Sequence, residues 1–108
     1  LCDQIHGLID ITAMSGPCLL DVYIQGLAAD GTTWFDLMHV TQLAPTGAQQ
    51  QLFSYRAVGV QDAAVQTAAM SVGSTSFTIP SQVRVWCVLT GGTSMTFSIN
   101  LEFIRKKN

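Results

Sequence analysis

Charge is scarce in this chain. Only 11% of its 108 residues are Asp, Glu, Lys or Arg, and the formal net charge is −2. A surface that neutralises a nucleic-acid backbone needs clustered Lys and Arg, so the charge gives no reason to expect nucleic-acid binding. Long apolar runs are also missing. Hydrophobic residues make up 48% of the chain, but they come in short pieces, well below the roughly 20 residues of a membrane-spanning helix. Cysteine is scarce. Cys2, Cys18 and Cys87 match no zinc or redox spacing, and an odd count argues against an obligatory disulfide framework. Cys87 alternates onto the apolar side of its strand and reads as a buried thiol acting as a small hydrophobe. A Cys18–Cys87 bridge is the alternative. There is no P-loop, nucleophile elbow or Gly-rich dinucleotide turn, and no repeat of solenoid or propeller type.

Catalytic material is thin as well. His6 and His39 have no partner at metal-ligand spacing, and His39 on a strand reads as a packed or interface residue. The six aspartates and one glutamate are scattered. Asp30 sits in a turn that its side chain helps to bend, and one carboxylate is too few for a calcium site. The expectation is a non-enzymatic protein with no cofactor and no metal.

What is there is β patterning. From Gln82 to Phe103 the chain reads QVRVWCVLT, GGTS, MTFSINLEF. Two alternating arms around a Gly-Gly turn give the signal of a β-hairpin. Met95, Phe97, Ile99, Leu101 and Phe103 share one face of the second arm. Upstream, residues 5–14 read as a first strand, 18–25 as a second with Leu20, Val22 and Ile24 inward, 33–41 as a third and 48–57 as a fourth. Asp30-Gly31 marks the turn between the second and third. The third strand is apolar on both faces, with Trp34, Asp36, Met38 and Val40 alternating against Phe35, Leu37 and His39. Ser76–Ile79 reads as a short fifth strand. The pattern predicts an all-β fold, a single antiparallel β-sandwich of about seven to eight strands, Ig-like or jelly-roll, in one domain over residues 1–108. Residues 1–7 and 58–75 are candidate extended arms, with a short helix over 62–70 as the alternative for part of the second.

Charge distribution is more telling than its total. Residues 1–104 hold two basic and seven acidic side chains, a net charge of −5, and Arg105, Lys106 and Lys107 form a basic tail over 104–108. Such a tail is a solvated end or a dock for an acidic neighbour. Trp34, after a turn, reads as a core tryptophan plugging one end of the sandwich. Trp86 shares an outward face with Arg84 and Gln82, and Tyr23 points outward on another strand. If these strands belong to one sheet, Tyr23, Arg84 and Trp86 form an exposed patch of the residue types enriched at binding hot spots. A loop over Trp86 and a sugar-stacking platform are the other readings of that face. The first residue is Leu1, not Met, which suggests missing upstream residues or a processed start. An Ig-like domain cut from a larger protein fits that start.

The run Leu20-Asp21-Val22-Tyr23-Ile24-Gln25, then Asp30-Gly31-Thr32-Thr33-Trp34 and Asp36-Leu37, resembles a pattern in small structural proteins of tailed bacteriophages. So do Ile79-Pro80 before Val83-Arg84-Val85 and the final Gly-Thr-Ser-Met-Thr-Phe-Ser-Ile element. The resemblance covers about residues 8–41 and 76–103, and its motifs are turn and core signals. It implies a β-sandwich virion accessory protein, with capsid decoration (cement) on the outer surface of the head as the favoured role and tail or neck accessory roles beside it. The implied partners are the major capsid protein and copies of the chain itself. A carbohydrate-binding host-recognition module is the alternative. The candidate partner-binding residues are Tyr23, Arg84, Trp86, Arg105, Lys106 and Lys107.

Overall fold

A computed structural model describes residues 2–56, 73–74, 79–92 and 94–105. Seven strands follow one another: β1 (Cys2–Ser15), β2 (Leu19–Leu27), β3 (Trp34–His39), β4 (Gln49–Arg56), β5 (Gly73–Ser74), β6 (Val83–Thr90) and β7 (Ser94–Arg105). Since β5 is only two residues long, the described residues hold six strands of ordinary length, not seven to eight. The fold is all-β with two antiparallel sheets. One has the order β4-β1-β7, the other β5-β3-β2-β6.

Both sheets feed a single hydrophobic core. From the three-stranded sheet come Ile5, Ile9, Ile11, Phe53 and Tyr55, and from the four-stranded sheet Leu20, Val22, Ile24, Phe35 and Leu37. The alternation in β2 dictates this directly: residues 20, 22 and 24 are buried and their neighbours are not. Fully burying a side chain of this size contributes roughly 1.5–3 kcal/mol. In β1 the inward series is Ile5, Gly7, Ile9, Ile11. Gly7 fits it because the Phe53 ring, opposite in the ladder, lies where a β-carbon would be.

The Gln82–Phe103 stretch is not a hairpin. Its arms are β6 and β7, but β6 pairs with β2 in one sheet and β7 with β1 in the other. Gly91 and Gly92, both at positive φ (75° and 64°), carry the chain across between the sheets. Ser15-Gly16-Pro17 does the same between β1 and β2. The two crossings touch: Cys18 Sγ lies 3.8 Å from the Ser94 carbonyl oxygen, and the α-carbon of Gly92 sits against Gly16. A true hairpin joins β2 to β3, as the Asp-Gly signal predicts. Asp30 Oδ1 accepts hydrogen bonds from the amides of Thr32 (2.9 Å) and Thr33 (2.8 Å) there.

The third strand departs from simple alternation. Ile24 pairs with Met38 and Gln25 with Asp36, so Leu37 is an extra residue. This bulge shifts the phase. Phe35 and Leu37 point inward before it, Met38 and Val40 after it, and Trp34, Asp36 and His39 all belong to the outer face. The apolar residues of this stretch other than Trp34 thereby all turn inward, and the outer side keeps Trp34 with the buried polar groups Asp36 and His39.

Residues 2–7, a candidate arm, belong to the first half of β1: Cys2 pairs with β7, and residues 4–7 pair with β4 on one side and β7 on the other. Apart from Gly73–Ser74, the 58–75 segment lies outside the described residues, as do residues 76–78 of the expected fifth strand. Ile79 is buried in the core but outside any strand. Cys87, expected buried, is exposed on the edge strand β6, and Cys18 is buried; both are free thiols.

Candidate partner-binding face

The outer surface of the four-stranded sheet is built in cross-strand rows. Tyr23 on β2 stands between His39 on β3 and Trp86 on β6. One step along, Gln25 stands between Asp36 and Arg84. The bulge in β3 is what aligns His39 with Tyr23. A strand without it would turn His39 into the core.

Arg84 organises the second row. Its guanidinium carbon lies 4.4 Å from the Trp34 ring centroid and 4.9 Å from that of Trp86, so one cation serves two indoles. Its Nε donates to Gln25 Oε1 at 2.7 Å, and Gln25 Nε2 donates to Asp36 Oδ1 at 2.7 Å. Through the Gln25 amide the positive head of Arg84 is linked to the buried carboxylate of Asp36. A planar guanidinium can stack and donate at once, which an ammonium cannot.

The first row is equally ordered. The Tyr23 and His39 rings stack with centroids 4.1 Å apart and planes inclined by 22°. His39 Nε2 donates to Asp21 Oδ1 at 2.9 Å, and Gln42 Nε2 to Asp21 Oδ2 at 2.9 Å. Partial burial, and then the negative charges of Asp21 and Asp36, raise the Tyr23 phenol above its ordinary pKa. The face presents a neutral phenol beside a half-exposed indole (Trp86, 50%). Val88, across from Asp21, adds an exposed aliphatic group on the same side.

The outer surface of the three-stranded sheet is different. Its rows run Ser54–His6–Glu102, Leu52–Leu8–Asn100 and Gln50–Asp10–Ser98. No Phe, Tyr or Trp stands in them, and their most exposed apolar group is Leu52, at 73%.

Of the sequence-derived candidates, Tyr23, Arg84 and Trp86 are brought together on one face. Arg105 ends β7 in the other sheet, and Lys106 and Lys107 lie outside the described residues. Trp34 is not a core plug. It stands on the outer face under Arg84, because Phe35 takes the inward position beside it. Sequence reasoning missed the Gln25–Asp36 and Asp21–His39 links. Both depend on which strands are neighbours, which alternation does not encode.

Among the described residues no three His, Cys, Asp or Glu side chains gather as a metal site, and no helix is long and apolar enough to cross a membrane. No protein-family model, no curated protein and no solved structure matches this chain.

Proposed function

We propose that this chain is a non-enzymatic binding protein that docks through the outer face of its four-stranded sheet, and that it serves as a capsid decoration protein of a tailed bacteriophage. The observation that carries the docking reading is the exposed Trp86 held by Arg84 next to Tyr23. Tyr, Trp and Arg fixed in advance by stacking and hydrogen bonds lose little side-chain freedom on binding, which is how hot-spot clusters work. The phage assignment rests on the resemblance of the Leu20–Leu37 and Ile79–Ile99 elements. The scant charge suits repeated protein contacts across a capsid surface, and many weak contacts on a lattice add up by avidity.

The two sheets are read as the layers of a β-sandwich. Three of the five strand pairings are nested, β1 with β7, β2 with β6 and β3 with β5; the other two are β1 with β4 and the β2–β3 hairpin. A long hairpin rolled onto itself has this order, which favours a jelly-roll winding over an Ig-like one.

A glycan platform is the second reading, favoured by the exposed indole of Trp86. Against it, Arg84 occupies a face of each indole and Tyr23 is stacked on His39, so the ring faces a sugar would use are partly taken.

The test is to count this chain against the major capsid protein in gradient-purified virus particles by quantitative mass spectrometry, and to add Trp86→Ala protein to shells stripped of it. Decoration requires hundreds of copies per particle, and Trp86→Ala should rebind at least ten-fold more weakly with its fold intact. That expectation rests on a hot-spot loss of about 2 kcal/mol. A handful of copies moves the chain to the tail or neck, and absence from particles overturns the virion role. Normal rebinding by Trp86→Ala overturns the docking face.

A further inference from the structure

Among the described residues strand β7 has a neighbour on one side only. It pairs with β1 from Cys2↔Arg105 to Ser15↔Ser94 and is the last strand of its sheet. Among the described residues no strand pairs with its other edge. Proteins guard such edges with lysine, proline, bulges or short length. β7 uses none of these. It is twelve residues long and contains no Lys or Pro; its only charges are Glu102 and the terminal Arg105. The irregularities in the β1–β7 ladder fall between Cys2 and Gln4 and between Ile11 and Ala13. The extra residues, Asp3 and Thr12, are both on β1, so the free edge of β7 is regular throughout.

The inner row of β7 is also incompletely covered. Met95, Phe97, Ile99 and Leu101 pack against the core but stay partly exposed, and Phe103, opposite the core residue Ile5, is 52% exposed.

We propose that β7 pairs antiparallel with β7 of a second copy of this chain, about a two-fold axis at Ile99, joining two three-stranded sheets into one of six strands. Ile99 is the midpoint of the alternating run Met95–Phe103, so this axis engages all nine residues. Ile99 then faces the second copy's Ile99, Phe97 faces Leu101, and Met95 faces Phe103. On the other side of the sheet Ser98 faces Asn100 and Thr96 faces Glu102. The carboxylate meets a hydroxyl rather than its own copy, so no like charges are opposed. An axis one residue further on, at Asn100, sets Met95 against Arg105. An interface of this kind is isologous and closes on itself, giving a dimer rather than a fibre.

This pairing does not depend on what the aromatic face binds, because that face belongs to the other sheet. A dimer would carry two such faces, and a lattice could engage both at once.

The test is sedimentation equilibrium from about one to several hundred micromolar, with thiols kept reduced. The wild-type chain should reach twice its 11.6 kDa mass. Ser98 and Asn100 are exposed and face each other across the proposed axis. Ser98→Lys with Asn100→Lys opposes two pairs of ammonium groups and should weaken association roughly ten-fold or more. Ser98→Lys with Asn100→Glu opposes unlike charges and should restore it. A wild-type chain that stays monomeric overturns the proposal, and so does a trimer. A dimer that both double variants leave unchanged overturns the β7 interface. Should the Lys/Lys chain fail to fold, the wild-type mass and the Lys/Glu variant still decide the matter, since a monomeric wild-type chain or a Lys/Glu variant that dissociates overturns the proposal.

Discussion

Gly92 has no room for a side chain because Cys18 fills the space. A β-carbon at Gly92 would run into the Cys18 sulfur and come within 3.1 Å of the carbonyl oxygens of Ser15 and Pro17. The residue also sits at φ 64°, which L side chains rarely adopt. Gly92→Ala is expected to lower stability by about 2–4 kcal/mol, combining backbone strain with a steric clash. The shift in urea midpoint at constant slope measures it. Adding Cys18→Ala should recover the part due to the sulfur and leave the part due to φ. An alanine variant as stable as the parent would mean that the two crossings do not pack together.

Arg84→Lys keeps the charge but loses the planar group that stacks between the two tryptophans and the Nε that donates to Gln25. Stability should fall by about 1 kcal/mol. Tryptophan emission should change as well, since both indoles lose the same neighbour. Unchanged fluorescence together with unchanged stability would contradict the arrangement.

The Asp30 carboxyl is held at a pKa of about 2, below its ordinary 3.8, mainly by the Thr33 hydroxyl and then by the amides of Thr32 and Thr33. A depressed carboxyl stabilises the fold when it is ionised. Its contribution is complete above the unfolded value and is lost as pH falls from about 3.8 through about 2. Asp30→Asn keeps an acceptor for the amides but has no charge to lose. The variant's stability should therefore be the less pH-dependent of the two in that window, by denaturation at stepped pH. Identical pH profiles would show that the carboxylate is not engaged in the turn.

Cys87 is exposed and free while Cys18 is buried. Partial desolvation raises the Cys87 pKa, so little thiolate is present at neutral pH. Iodoacetamide should label Cys87 slowly at pH 7 and faster as pH rises, with Cys18 unmodified in the folded protein. Peptide mapping by mass spectrometry separates the two. Labelling of Cys18 ahead of Cys87 would reverse the burial order.

Local periodicity carried the fold a long way. The inward set Leu20, Val22, Ile24 and the pair Phe53, Tyr55 are readable from alternation, and so is the shared outer face of Arg84 and Trp86. Two features are not. A bulge costs one residue and leaves no mark in composition, so the inversion of phase after Leu37 is invisible to a period-two reading. A Gly-Gly turn between alternating arms looks the same whether the arms pair or part. Only packing of the arches against Cys18 and Pro17 distinguishes the cases. The hydrogen-bonded links among Asp21, His39, Gln25 and Asp36 needed the order β3-β2-β6, which is a property of the whole chain. Trp34 shows the same limit. An aromatic after a turn fits a core position until its neighbour Phe35 is found there first.

The ladder between β1 and β7 ties Cys2 to Arg105, so the central strand of one sheet waits for a partner some hundred residues away. Contacts of such long range make for slow folding, because the entropy of closing the loop is lost before the contacts reward it. On the ribosome, β1 must remain unpaired along that edge until β7 has left the exit tunnel. Until then its Ile5, Ile9 and Ile11 are exposed to the wrong partners.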